Sequence, residues 1–94
     1  MTVVTRITDP YGRAVELTAE RWQHIVQRRP AMAAYQDEVI RAVQSPTTVA
    51  PGREADEVWF YLKDAGPSQW LKAVVIFDSD RGFIVTAFPR RALP

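Results

Sequence analysis

Between residues 57 and 88 the chain alternates apolar with other side chains in three successive runs, with only short turn-forming stretches between them. No other feature restricts the fold as much. The runs cover 57–63, 69–77 and 83–88, and they are rich in Val, Ile, Phe, Trp and Tyr, residues that fit a pleated surface. The links Asp64-Ala65-Gly66-Pro67-Ser68 and Asp78-Ser79-Asp80-Arg81-Gly82 are built from turn formers. A parallel crossover needs a dozen or more residues, so links this short force antiparallel neighbours. The three runs must form a meander.

Successive side chains in a strand point to opposite faces, which allows the meander to be sorted. One face reads Val58, Phe60, Leu62, Leu71, Ala73, Val75, Phe77, Phe83, Val85 and Ala87, and it is wholly apolar. It is the face expected to receive helices. The other reads Trp59, Tyr61, Lys63, Trp70, Lys72, Val74, Ile76, Ile84, Thr86 and Phe88. Aromatic rings can stack bases while neighbouring lysines hold phosphate. A half-exposed sheet, or one covered by the N-terminal hairpin or a dimer partner, would carry a similar mixture.

Ahead of the meander, Val3 to Thr8 and Arg13 to Leu17 form a hairpin around Asp9-Pro10-Tyr11-Gly12, which suits a type I turn. Thr18 is a helix N-cap, with Leu17 and Trp22 at the two positions of a hydrophobic staple. The first helix runs to about Arg29, where Pro30 stops it. A second helix covers about 32–44, with Met32, Tyr35, Val39, Ile40 and Val43 on one stripe and Ser45-Pro46 at its end. Thr47 to Asp56 reads as a loop punctuated by Pro51-Gly52. The result is an α+β domain, with an N-terminal β-hairpin and two helices packed on a C-terminal antiparallel meander. At 94 residues, 1–94 is a single domain.

The absence of cysteine removes thiol nucleophiles, disulfides and thiolate metal sites, and fits a cytoplasmic setting. No apolar run approaches the roughly 20 residues of a membrane helix, and the N-terminus lacks the basic-then-apolar order of a signal peptide. A net charge of +1 means that any attraction for nucleic acid must come from local placement of charge.

That placement is found in Arg21-Trp22-Gln23-His24-Ile25-Val26-Gln27-Arg28-Arg29-Pro30, which holds the one histidine. Arg21, His24 and Arg28 form one helical stripe, and Arg29 falls on the apolar side with Trp22, Ile25 and Val26. Imidazole exchanges its proton near neutral pH, so His24 can serve as acid or base on a ribose 2′-OH or a leaving 5′-oxygen. Arg28, one turn away, can grip a phosphate bidentately. An ordinary solvated helix also carries such residues, and arginine near a helix C-terminus complements its dipole. On the sheet, Tyr61, Lys72 and Thr86 share a face, so that Lys72 can neutralise phosphate while a hydroxyl donates to it. Arg90 extends the basic set. One histidine and no cysteine make a zinc site improbable, and neither a phosphate-cradling glycine loop nor a carboxylate cluster is present. No metal or cofactor is expected. Cleavage of this kind is restricted to RNA, which carries its own nucleophile.

The series Arg21-Trp22-x-His24-Ile25-x-x-Arg28-x-Pro30, the Pro-ended second helix, Trp70-Leu71-Lys72-Ala73-Val74-Val75 and Phe83-Ile84-Val85-Thr86-Ala87-Phe88-Pro89 resembles small phage- and mobile-element-type nucleases of the barnase, EndoU, colicin and RelE superfamily, the BECR fold. The resemblance runs from about Leu17 to Pro89. It implies metal-independent RNA cleavage by a toxin-like enzyme, with a cognate antitoxin or immunity protein as a further partner. It also implies catalytic roles for His24, Arg28 and Thr86, with Tyr61 and Lys72 at positions that are often polar and cleft-facing and so counted with them; the residue pattern itself adds Arg21, Arg29, Trp59, Lys63, Trp70, Phe88 and Arg90 as substrate contacts. The family commonly reads Arg-His-Pro where this chain has Arg28-Arg29-Pro30, and arginine cannot shuttle a proton at pH 7. Two other readings use the same residues: a relative that binds RNA or protein without cutting, and an interaction or toxin-neutralising protein that uses the Trp59/Trp70/Phe88 face.

Overall fold

Chain order in the computed structural model, which describes residues 2–93, is β1 (Val3–Thr8), β2 (Ala14–Thr18), α1 (Ala19–Arg28), a 3-10 helix (Pro30–Ala34), α2 (Gln36–Gln44), β3 (Thr48–Pro51), β4 (Glu57–Lys63), β5 (Trp70–Asp78) and β6 (Arg81–Arg90). The six strands form one mixed sheet in the order β1-β2-β6-β5-β4-β3, and the architecture is α+β. The antiparallel meander is β4-β5-β6. The N-terminal hairpin extends the same sheet, because β2 pairs parallel with β6 through Ala14↔Arg81, Val15↔Gly82 and Glu16↔Phe83.

Buried Asp9 closes the first hairpin. Its carboxylate accepts the backbone N–H groups of Tyr11 (3.0 Å) and Arg13 (2.8 Å) and binds the Arg13 guanidinium, and Gly12 supplies the left-handed φ of +83° that the turn needs. At the parallel junction, Glu16 is 4% exposed and lies between Arg6 and Arg81. Its hydrogen bond from Arg81 holds the carboxyl below the usual 4.5, and the charges of Arg81 and Arg6 act in the same direction against burial.

Thr18 caps α1 by accepting from the Arg21 N–H at 3.2 Å, as expected. Leu17 is buried, and Trp22 packs against the same core. The expected second helix is divided. Pro30, with no N–H and a preset φ, opens a 3-10 turn that buries Met32, and α2 starts afresh after Tyr35. Ile25, Met32, Val39, Ala42 and Val43 fill the space against Phe60, Leu71, Ala73, Val75 and Ile84, so the core lies between the helices and one sheet face.

Two further expectations need correction. Residues 47–56 are not wholly a loop, because Thr48–Pro51 pairs with β4 as an edge strand. The proline sits at the strand's end, where its missing N–H costs no ladder bond. The face assignment also fails at the start of β6. Val74 pairs with Thr86 but Val75 pairs with Ile84, which leaves Val85 as the extra residue of a β-bulge. The bulge inverts the parity below it. Ile84 is fully buried in the core, whereas Phe83 lies across from Glu16 with the Arg81 guanidinium 5.3 Å from its ring. Gly82 fits this arrangement, since a Cβ there would come within 2.7 Å of the Phe77 ring.

Candidate functional site

The site begins as a strand edge. Pairing between β2 and β6 ends at Phe83, and beyond it α1, rather than another strand, flanks β6. The direction of the β6 backbone follows from the ladder. The Tyr61 carbonyl accepts from the Thr47 N–H at 2.7 Å, so Tyr61 turns its backbone toward β3 and Phe60 turns toward β5. Alternation across the sheet then directs the backbone groups of Thr86 and Phe88 to β5, and those of Val85, Ala87 and Pro89 to α1. Two details agree. The Val85 carbonyl accepts from Arg21 Nε at 3.1 Å and also from Arg21 Nη2. Pro89, which has no N–H, occupies a position where no ladder donor is required.

Between this edge and α1 lies a cleft of about 540 Å³ lined by Arg21, His24, Arg28, Arg29 and residues 85–88. Helical spacing of three and four residues brings Arg21, His24 and Arg28 onto its wall. Arg29 is the C-cap of α1, and its guanidinium lies 5.5 Å from the Phe88 ring. His24 is half-buried, while Arg28 and Arg29 are exposed and have no carboxylate partner among the described residues. The lining residues include no Asp or Glu. The field in the cleft is therefore positive, and one imidazole is placed within it.

A second cleft, of about 530 Å³, is lined by Arg53, Glu57, Trp59, Lys72, Val74, Thr86, Phe88 and Arg90. Thr86 and Phe88 belong to both clefts. Lys72 is 6% exposed, and its ammonium lies 3.4 Å from the centre of the Trp59 ring and 5.3 Å from that of Phe88. Burial first, then the charge of Arg90, pulls its pKa below the usual 10.5, with Glu57 acting in the opposite direction. Glu57 Oε2 accepts from Trp59 Nε1 at 2.5 Å.

The structure thus gathers His24, Arg21, Arg28, Arg29, Thr86 and Phe88 around one cleft, and Trp59, Lys72 and Arg90 around its neighbour. Tyr61, Lys63 and Trp70 line neither. Tyr61 is fully buried, its ring meets Trp70 edge-on at 6.4 Å, and its hydroxyl has no hydrogen-bond partner among the described residues. Lys63 is exposed at the end of β4. Sequence reasoning missed Glu57 and Arg53. Glu57 shares strand parity with Trp59, which puts it on this face, but Arg53 reaches it only through the β3–β4 connection, which has no periodicity to assign it a face. The backbone edge at Val85 and Ala87 leaves no side-chain signal.

Among the described residues, no group of three His, Asp or Glu side chains comes together as a metal site would require, and no helix is long and apolar enough to cross a membrane. No protein-family model, curated protein or solved structure matches the chain.

Proposed function

We propose that this chain is a metal-independent endoribonuclease of toxin-like action, and that the cleft between α1 and the open edge of β6 is its active site. The observation that supports this reading is the convergence of one imidazole and three guanidinium groups beside a hydroxyl, with no carboxylate in the lining. His24 takes the proton of a ribose 2′-OH, and that oxygen attacks the adjacent phosphorus. The bond to the 5′-oxygen breaks, water supplies the proton to the departing oxygen, and the imidazolium returns its proton to solvent. The product ends are a 2′,3′-cyclic phosphate and a 5′-hydroxyl. Arg28 and Arg29 stabilise the charge gathering on the phosphoryl oxygens. Thr86 donates a hydrogen bond from the opposite wall. Arg21 is held by the Val85 carbonyl, and it supports the wall while contributing charge. Activity on RNA places the protein's work in the cytoplasm, and a basic cleft of this form suits an acidic antitoxin or immunity protein.

A second reading, RNA binding without cutting, is favoured by one observation. The first cleft offers a single proton carrier, with Arg29 where the resembled nucleases commonly have histidine. Labelled RNA incubated with the protein in EDTA separates the two. The nuclease yields cyclic-phosphate ends, and His24→Ala slows cleavage by about 10²-fold or more. Salt-sensitive binding with no cleavage establishes the second reading instead. Absence of both leaves the aromatic face as a protein-interaction surface.

A further inference from the structure

We infer that the second cleft is a phosphate subsite of its own, so that the ligand is single-stranded RNA drawn over Phe88 with neighbouring phosphates on its two sides. This rests on the RNA reading of the first cleft and extends it to the length and form of the substrate.

The inference starts from Lys72. The residue is only 6% exposed, and among the described residues its ammonium, which meets solvent through the cleft, has neither a salt bridge nor a hydrogen bond. A buried charge is normally paired, because losing its hydration is expensive. Lys72 instead has only ring faces, with Trp59 nearest, and it shares the cleft with two more cations, Arg53 and Arg90. The one carboxylate in the lining, Glu57, has an oxygen committed to the Trp59 indole. Three cations against one partly engaged anion is an arrangement that folding alone does not favour. An oxyanion seated among them supplies the missing partner. Phosphate suits the site better than carboxylate because Lys72, Arg53, Arg90 and the Thr86 hydroxyl offer donors from several directions.

The two clefts are adjacent. Arg29 lies 5.5 Å and Lys72 5.3 Å from the same Phe88 ring, and Phe88 lines both clefts, so the ring belongs to the wall they share. A nucleic acid with phosphates on both sides must carry a sugar and base across that ring, and an aromatic face is a stacking platform for an unpaired base. A duplex keeps its bases inside and cannot make this crossing.

The test uses a dinucleoside monophosphate with a 2′-deoxy sugar at the cleavable position, alone and with an added 5′- or 3′-phosphate, titrated calorimetrically against the intact chain. One of the two added phosphates is expected to tighten binding at least about tenfold, with a steeper salt dependence. Lys72→Met, which keeps the apolar stem, and Arg90→Gln, at an exposed position, are each expected to remove that gain, so that within each variant the compounds with and without the added phosphate bind within about twofold of each other. If neither phosphate adds affinity, if the gain survives in both variants, or if no compound binds, the inference is overturned. Failure of the cleavage reading looks different: His24→Ala and the parent chain would both bind with the full phosphate gain while neither cuts RNA.

Discussion

Tyr61→Phe isolates one atom whose surroundings are unusual. The hydroxyl is buried and has no partner among the described residues, while the ring is fully packed and meets Trp70 edge-on. A buried hydroxyl left unsatisfied costs about 1–3 kcal/mol relative to one hydrated in the unfolded chain. Phenylalanine keeps the ring and its contacts and removes only that cost. The variant should therefore gain about 1–2 kcal/mol, which for a domain of this size raises Tm by on the order of 5–10 °C. Urea and thermal unfolding at pH 7 measure it, with an unchanged urea slope showing that the unfolded state is not altered. A pH series adds a signed check. Burial pushes the phenol above its ordinary 10.0, and the charge of Arg90 only partly opposes this. The folded state thus holds a proton that the unfolded state gives up, so wild-type stability falls as the pH rises above 10.0, and Tyr61→Phe lacks this loss. Equal or lower stability of the variant at pH 7 would refute the unsatisfied hydroxyl. A drop in RNA cleavage of about 10²-fold would show instead that this hydroxyl reaches substrate, as the family resemblance implies.

Two further substitutions examine the frame of the site. Glu16→Gln should lower Tm at pH 7 and flatten the acid limb of the stability curve, because a carboxyl held below 4.5 stabilises the fold above that pH and the contribution is lost as pH falls through the lowered value; an unchanged acid limb in thermal melts contradicts the ion-paired junction. Ile84→Ala should cost about 2–5 kcal/mol in urea unfolding and Val85→Ala less than about 1.5 kcal/mol, since Ile84 is fully buried and Val85 is the half-buried bulge residue; the reverse order would restore the unbulged pairing.

The meander was legible because its signals are local. Short links and period-two alternation place Val58 to Phe77 without reference to the rest of the chain. Thr18 was legible as a cap for the same reason, since its hydroxyl is used only three residues away. What escaped depends on partners distant in sequence. Phe83 and Ile84 are both large and apolar, so nothing in their order announces a bulge. The choice is made by Phe77 and Val75, which fill the space beside Gly82, and by Glu16 and Arg81, which lie with Phe83. The strand at 48–51 likewise has too little pattern of its own and exists by pairing with β4. At the site, the stripe Arg21-His24-Arg28 could be read from helical spacing, but its meeting with Thr86 and Phe88 could not, because alternation puts those two residues on the face away from the helices and joins Thr86 to Tyr61 and Lys72 instead. Tyr61 shows the limit of face-sorting. It lies on the expected face, but Trp70 and its other neighbours bury it outside either cleft.

The origin of the first cleft lies in how the sheet manages its interrupted edge. A strand edge left open presents unpaired N–H and C=O groups and invites pairing with other chains. Here the hairpin covers β6 only as far as Phe83, then turns at Thr18 into α1, which crosses the remaining edge. A helix cannot continue a β-ladder, so side chains must serve the exposed groups. Arg21 does this for the Val85 carbonyl, which accounts for one guanidinium without invoking any ligand. The same explanation does not extend to Arg28 and Arg29. Both are exposed, neither has an acidic partner among the described residues, and closing the edge requires neither. Their charge is left over after the structural demand is met, and it lies with the half-buried imidazole of His24 on the α1 wall of the cleft that the missing strand leaves open.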